Sequence, residues 1–283
     1  MNLSLRFLMC APDAFDVSYV INPWMEGNLH QSSRENAAAQ WRTLRDVLAS
    51  RAEVESITPQ TGLPDMVFTA NAGLILGNAV VPARFLHKER QGEERHFTNW
   101  FSKRGFVVFE LPNNLPFEGA GDALLDRDGR WLWAGHGFRS RVESHPFLSK
   151  WLDIEVFSLR LVNHRFYHLD TCFCPLAGGH LIYYPAAFDA ESNRLIESKV
   201  PAKKLFPVSE TDAMTFACNA VNVDRAVILN RATAELQERL RGAGFEVIET
   251  PLSEFMKSGG GAKCLTLRLT ERLQAEQRVG KAA

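Results

Sequence analysis

Charge of one sign is missing from this sequence. Its 32 Lys and Arg stand against 33 Asp and Glu, a formal net charge of −1, so nothing electrostatic favours nucleic acid or an anionic membrane as a partner. Long apolar runs are missing too: none approaches the roughly 18 residues of a membrane span. Met1 to Cys10 is apolar, but it is too short and wrongly flanked for a secretory signal, and Pro12 and Asp13 follow at once; it reads as a first core strand. Cysteine is scarce, and the five present (Cys10, Cys172, Cys174, Cys218 and Cys264) are odd in number and widely spread. That argues for a reducing compartment, the cytoplasm. No Cys-x-x-Cys or His-x-His pair offers a metal site, and Cys172-Phe173-Cys174 suits alternation in a packed strand. The glycine triplet at 259–261 lacks the Gly-Lys-Ser/Thr ending of a phosphate loop and precedes a strand rather than a helix. Neither a metal nor a cofactor is expected. No Pro/Gly/Ser-rich linker divides the 283 residues, which predicts one domain over 1–283. With 46% hydrophobic and 23% charged residues the chain can bury a sizeable core, and its substrate should be small.

A repeat lies within that domain. After the first strand, Phe15 to Asn28 forms a loop with aromatics, Pro23 and Gly27, the composition of a lid. Ser32 to Ser50 reads as a helix, with Ser32 or Ser33 as cap, Glu35 in the first turn, and Trp41, Leu44 and Leu48 on one face. Helix, glycine cap, short apolar run and proline then recur, most clearly in 103–112 against 243–251. Weaker echoes are 53–59, 154–159 and 204–207. Each is followed by a strand pair, over 66–81, 117–134, 167–184, 216–230 and 264–269, the last of which would pair with the N-terminal segment and close a ring. Units spaced by roughly 50 residues predict an α/β fold of radially repeated type. The segment from Thr270 to Ala283 is charged and predicts a terminal helix.

Polar residues recur at equivalent points, where each unit enters the core. They are Asp65 and Asn71 in PDMVFTAN, Glu118 and Asp122 in EGAGD, His168 and Asp170 in HLDT, Asn219 and Asn222, and Cys264 in GGGAKC. In a radial fold these starts converge on the axis. A cysteine needs a base or a lowered pKa to act as a nucleophile, and His168 titrates in the range for acid and base work. Glu118 can orient the imidazole, and Asp170, two residues along the strand, can face the same side. Carboxylates beside a thiolate raise its pKa, so they fit only a cationic ligand that neutralises them. A planar guanidinium meets that need. Taken singly, each residue also has an ordinary use: Cys264 and His168 as core, Glu118 and Asp122 as caps of a glycine-rich turn.

Together these motifs resemble, from end to end, the guanidino-modifying enzymes of the pentein superfamily, which include arginine deiminases, dimethylarginine dimethylaminohydrolases, amidinotransferases and arginine dihydrolases. The resemblance implies a five-bladed ββαβ propeller with pseudo-fivefold symmetry. It implies that Cys264 attacks the guanidinium carbon and that His168 protonates the leaving amine and then activates water against an S-alkylthiouronium intermediate. Glu118 and Asp170 would bind guanidinium nitrogens, Arg90 and Arg139 the substrate carboxylate, and Asn22, Asn71 and Asp65 would complete the substrate contacts. Arginine deiminases usually read Phe-Thr-Arg-Asp where this chain has Phe68-Thr69-Ala70-Asn71, and their Glu-Gly-Gly-Asp turn is one residue shorter than EGAGD. A neutral amide at 71 holds a cation less firmly but can hydrogen-bond a neutral ureido group. The reading expected is therefore an arginine dihydrolase, converting arginine to ornithine, carbon dioxide and two ammonia. Dimethylarginine dimethylaminohydrolase is the nearest alternative, then arginine deiminase and amidinotransferase. A non-catalytic propeller that binds arginine or a protein is the alternative from a different class. Self-association is left open.

Overall fold

Residues 5–273 are described by a computed structural model. Five mixed sheets of three strands each are built in it, all on one plan. In every sheet an antiparallel pair is followed by a helical crossover to a third strand that lies parallel to the middle one. The first sheet holds β1 (Arg6–Cys10), α1 (Arg34–Ala49) and β2 (Glu53–Ile57). The second holds β3 (Gly73–Leu76), β4 (Ala79–Pro82), α2 (Lys88–Gln91), α3 (Glu94–Lys103) and β5 (Val107–Val108). The third holds β6 (Ala123–Leu125), β7 (Leu132–His136), α4 (His145–Leu152) and β8 (Val156–Arg160), and the fourth β9 (Phe173–Leu176), β10 (His180–Tyr183), α5 (Ala190–Lys199) and β11 (Leu205–Pro207). After α6 (Glu210–Met214), the fifth holds β12 (Val221–Val223), β13 (Ala226–Leu229), α7 (Ala234–Gly242) and β14 (Glu246–Glu249). The short α8 (Ser253–Met256) leads to β15 (Leu267–Arg268), which pairs antiparallel with β1, Leu8 opposite Leu267. The first sheet is thus completed by the last strand, as the repeat predicted.

Local chemistry explains the plan. Ser33 caps α1 by accepting from the Asn36 amide at 3.3 Å, and Thr233 caps α7 by accepting from that of Leu236 at 3.3 Å. Trp41, Leu44 and Leu48 are buried along one face of α1, as are Leu236 and Leu240 of α7. The chain leaves α3 and α7 through Gly105 and Gly244, at φ of 80° and 84°, a conformation that favours glycine. The middle strands β4, β10 and β13 are almost wholly buried and apolar, as strands covered on both faces must be.

Two expectations are corrected. The strands begin later than predicted, because the polar starts lie in tight 3-10 turns ahead of them: Thr69–Ala72, Gly119–Gly121 and Leu169–Thr171. Asp170 reaches its place through such a turn and not by alternation along a strand. Residues 270–273 are not helical, and the rest of the expected terminal helix, 274–283, lies outside the described residues. The turns are tied to one another in sequence: Asn71 Nδ2 donates to the Glu118 carbonyl, the Leu169 amide to Asp122 Oδ1, and Asn219 Nδ2 to the Asp170 carbonyl. The Lys263 amide then donates to the Asn219 carbonyl and the Ala70 amide to that of Cys264. No helix among the described residues is long and apolar enough to cross a membrane.

Candidate active site

Those linked turns surround a narrow pocket. Asn22, Asp65, Asn71, Arg90, Arg139, His168 and Cys264 line it, with Phe68, Tyr167 and Gly259. Glu118 and Asp170, both 0% exposed, stand directly behind His168 and Cys264. All nine site residues expected from the sequence are therefore brought together.

Cys264 is held by two neighbours. Asn219 Oδ1 accepts from the Cys264 amide at 3.1 Å, and Asn219 Nδ2 lies 3.1 Å from Sγ. The thiol donates to the Asp170 carboxylate, 3.6 and 3.5 Å from its two oxygens. Burial pushes the thiol pKa well up and the negative charge of Asp170 adds to it, outweighing the Asn219 bond and Lys263. Burial also raises the Asp170 carboxyl, against the opposing charge of Lys263. The balance favours the protonated thiol.

His168 Nε2 lies 2.7 Å from Glu118 Oε2, and Arg139 Nη1 donates to the same oxygen at 3.1 Å. Burial pushes the Glu118 carboxyl up, but Arg139, the His168 bond and charge, and Arg90 together hold it well below the usual carboxylate range. Behind it the Glu118 amide donates to Ser140 Oγ at 2.9 Å, and Ser140 donates to Asp122 at 2.6 Å. Asp122 also accepts the Leu169 amide at 3.0 Å, which fixes the backbone next to His168. Burial lifts the Asp122 carboxyl to about 6. Arg139 is stacked over the Tyr167 ring at 4.5 Å, and its Nη2 donates to the Ile21 carbonyl of the N-terminal loop at 2.9 Å.

On the opposite wall, Arg90 Nη1 donates to Asn71 Oδ1 at 2.9 Å while Arg90 grips Glu93 with Nε at 2.9 Å and Nη2 at 2.8 Å. Asp65 Oδ2 accepts from Tyr19 at 2.9 Å, but the buried Asp65 Oδ1 has no hydrogen-bond partner. Each arginine is matched by a glutamate and Lys263 opposes Asp170, so Asp65, whose Oδ1 has no hydrogen-bond partner, leaves the pocket with an excess of negative charge. Its chemistry is that of a cation site. Among the described residues no group of three or more His, Cys, Asp and Glu is placed to hold a metal.

Several partners escaped the sequence reading. Asn219 was visible as the polar residue of the fourth unit, but nothing in its spacing showed that it grips Cys264. Tyr167, next to His168, donates to the Gly259 carbonyl at 2.9 Å and accepts from Asn22 Nδ2 at 3.2 Å, tying the loop to the glycine triplet. Those glycines are needed for close packing: a Cβ on Gly259 would stand 2.7 Å from Tyr167 Oη, and one on Gly260 2.3 Å from the Phe68 ring. Gly121 has a similar role, since a Cβ there would fall 2.2 Å from Asn71 Nδ2.

The same arrangement of chain recurs in known proteins. Over 276 residues, 98% of its length, the chain is 63% identical to the bifunctional arginine dihydrolase/ornithine cyclodeaminase AgrE of Nostoc sp., and it spans only 39% of that relative. It is 39% identical over 267 residues to an N(G),N(G)-dimethylarginine dimethylaminohydrolase of Mycobacterium tuberculosis, covering 93% of this chain and 85% of that protein. Among solved structures, the N-terminal domain of ArgZ, a cyanobacterial arginine dihydrolase crystallised as a cysteine-to-serine mutant with substrate, superposes with a TM-score of 0.94. That match is 62% identical and covers 95% of this chain and 99% of the other. The model of the eukaryotic N,N-dimethylarginine dimethylhydrolase family matches residues 20–271, and the chain belongs to that family of pentein guanidino-modifying enzymes.

Proposed function

We propose that this chain is an arginine dihydrolase, hydrolysing arginine to ornithine, carbon dioxide and two ammonia through a covalent bond to Cys264. The observation that carries this reading is the Cys264 thiol donating to a buried Asp170, across a cavity where a second carboxylate oxygen, Asp65 Oδ1, has no partner. An arriving guanidinium supplies the missing positive charge. Paired with Asp170 and Glu118, it neutralises the field that keeps the thiol protonated; the thiol proton passes to His168 and Sγ attacks the guanidinium carbon. His168, oriented by Glu118, gives a proton to the departing ammonia. It then takes one from the water that attacks the thiouronium carbon and expels the thiolate. The product at that stage is a neutral ureido group. A second round of the same steps on that group releases the second ammonia and leaves a carbamate, which loses carbon dioxide.

Asn71 is assigned to the second round, because an amide offers a neutral ureido group both a donor and an acceptor. Arg139 and the remaining N–H of Arg90 are assigned to the substrate carboxylate, Asp65 Oδ1 to its cationic end, and Asn22 to closing the loop over it. The five sheets are read as blades of one closed propeller and the chain as one domain, supported by the β1–β15 pairing and the sequential bonds between the turns. Five unpaired thiols support a cytoplasmic setting. The family match favours one second reading, dimethylarginine hydrolysed to citrulline and dimethylamine.

Incubation with arginine and, separately, with asymmetric dimethylarginine, followed by mass spectrometry of the products, decides between them. Ornithine with two equivalents of ammonia per arginine is expected; citrulline as the end product refutes the dihydrolase reading. Asn71→Asp should keep the first hydrolysis and stop at citrulline. Ornithine formed by Asn71→Asp at the original rate removes the role given to the amide. Gly121→Ala is expected to mimic it at a cost in stability, because the new methyl pushes away a buried amide that is hydrogen-bonded to the Glu118 carbonyl and Arg90. A Gly121→Ala protein with unchanged product ratio would show that the amide need not occupy its present place.

A further inference from the structure

Glu93 reaches no part of the cavity, yet it is 0% exposed and grips Arg90 with both carboxylate oxygens. A fully buried, bidentate pair is costly to assemble and is not by itself a source of stability. What it does is fix the plane of the Arg90 guanidinium. That plane is further fixed by the Asp65 carbonyl, which accepts from Nη2 at 3.1 Å, and one consequence is that Nη1 points at Asn71 Oδ1 at 2.9 Å. An amide can turn over by half a rotation and exchange its donor and acceptor ends. Asn71 is held by two partners that each work one way only: Arg90 can only donate, and the Glu118 carbonyl, 3.1 Å from Nδ2, can only accept. Its oxygen therefore faces Arg90 and its nitrogen faces Glu118.

The charges lead to the same pairing. Arg90 is 3% exposed and carries one positive charge, which Glu93 satisfies while position 71 stays neutral. We propose that Glu93 is a positioning residue for the second hydrolysis, holding Arg90 so that the Asn71 amide meets a neutral ureido group in a single orientation. The first hydrolysis depends on Asp170 and Glu118 binding a cation, and a small rotation at Asn71 leaves it in place. The second has no charge to hold its substrate and depends on directional hydrogen bonds, which weaken steeply with misalignment. The inference rests on the dihydrolase reading.

The test is the ratio of citrulline to ornithine formed from arginine by Glu93→Gln and Glu93→Asp, measured by mass spectrometry. This ratio is a property of each working molecule and does not depend on how much of a variant is folded. Glu93→Gln should raise citrulline per ornithine about tenfold or more, the effect of about 1.4 kcal/mol on the partition. Glu93→Asp, which keeps the charge but shortens the reach, should give a smaller rise in the same direction. An unchanged ratio in both variants overturns the inference, whatever happens to the rate, and so does loss of the first hydrolysis together with the second. Asn71→Asp run alongside separates the two levels of argument. Citrulline from Asn71→Asp with an unchanged ratio in the Glu93 variants removes only Glu93, whereas ornithine from Asn71→Asp, or citrulline as the end product of the unaltered protein, removes the reading beneath it.

Discussion

Asp170→Asn is expected to drive two readouts of Cys264 in opposite directions. The carboxylate lies 3.5 Å from Sγ and, after burial itself, is the largest cause of the raised thiol pKa. Removing a unit charge at that distance, in a medium of effective dielectric near 20, is worth about 4 kcal/mol of Coulomb energy before compensation. The thiol should therefore ionise at lower pH, and alkylation by iodoacetamide at pH 8 should quicken by about tenfold or more. Turnover of arginine should fall by roughly a hundredfold to a thousandfold, because on the proposed mechanism the variant has lost the charge that binds the guanidinium as the sulfur attacks. A more reactive cysteine in a less active enzyme is what a nucleophile switched on by its own substrate requires. In the unaltered protein the alkylation rate should still be climbing from pH 7 to pH 9, with the thiol pKa above that window, and a guanidinium bound beside Asp170 should lower it. Alkylation left unchanged by Asp170→Asn would mean that the carboxylate does not control the thiol.

That balance of charge could be read in part before any geometry was known. Cys264, His168, Glu118, Asp170 and Asn71 stand out because polar residues at the entry to a core are expensive, and five such entries recur at nearly even spacing. The strand order was legible for a similar reason: a glycine cap and a proline stop mark the crossovers at 103–112 and 243–251, and the leftover strand at 264–269 could take the N-terminal segment as its partner. What stayed hidden was contact between units. Asn219 binds Cys264 across 45 positions of chain and Tyr167 meets Gly259 across 92, and neither pairing leaves a periodic trace. Glu93 gave no signal, since a glutamate near a helix start is ordinary and its burial depends on Arg90 turning inward. The 3-10 turns were missed because their polar residues read as the first residues of the strands they precede. They matter chemically: these turns bring Asn71 to the pocket and Asp170 to the Cys264 thiol.

Glu118→Gln should be the most damaging substitution after loss of the nucleophile, and its stability cost should depend on pH in a defined sense. Glu118 is 0% exposed and its Oε2 serves His168 and Arg139 together. A glutamine of the same shape removes the anion and leaves Arg139, 3% exposed, without a counterion. Breaking one side of such a buried pair costs about 3–5 kcal/mol. The Glu118 pKa is depressed in the folded state, so its contribution is present at pH values above its unfolded pKa and fades as pH falls towards the folded one. The gap between the unaltered protein and Glu118→Gln should therefore be full at pH 7 and still large at pH 5. It should narrow below the ordinary glutamate range, near pH 4, as measured by urea denaturation at pH 7, 5 and 3. Activity should drop by about a thousandfold, since His168 loses the partner that orients it and, on the proposed mechanism, the guanidinium loses one of its two carboxylates. A gap that stays constant down to pH 3 would show that packing, and not the carboxylate charge, is what Glu118 supplies, and near-normal turnover would remove it from the catalytic set.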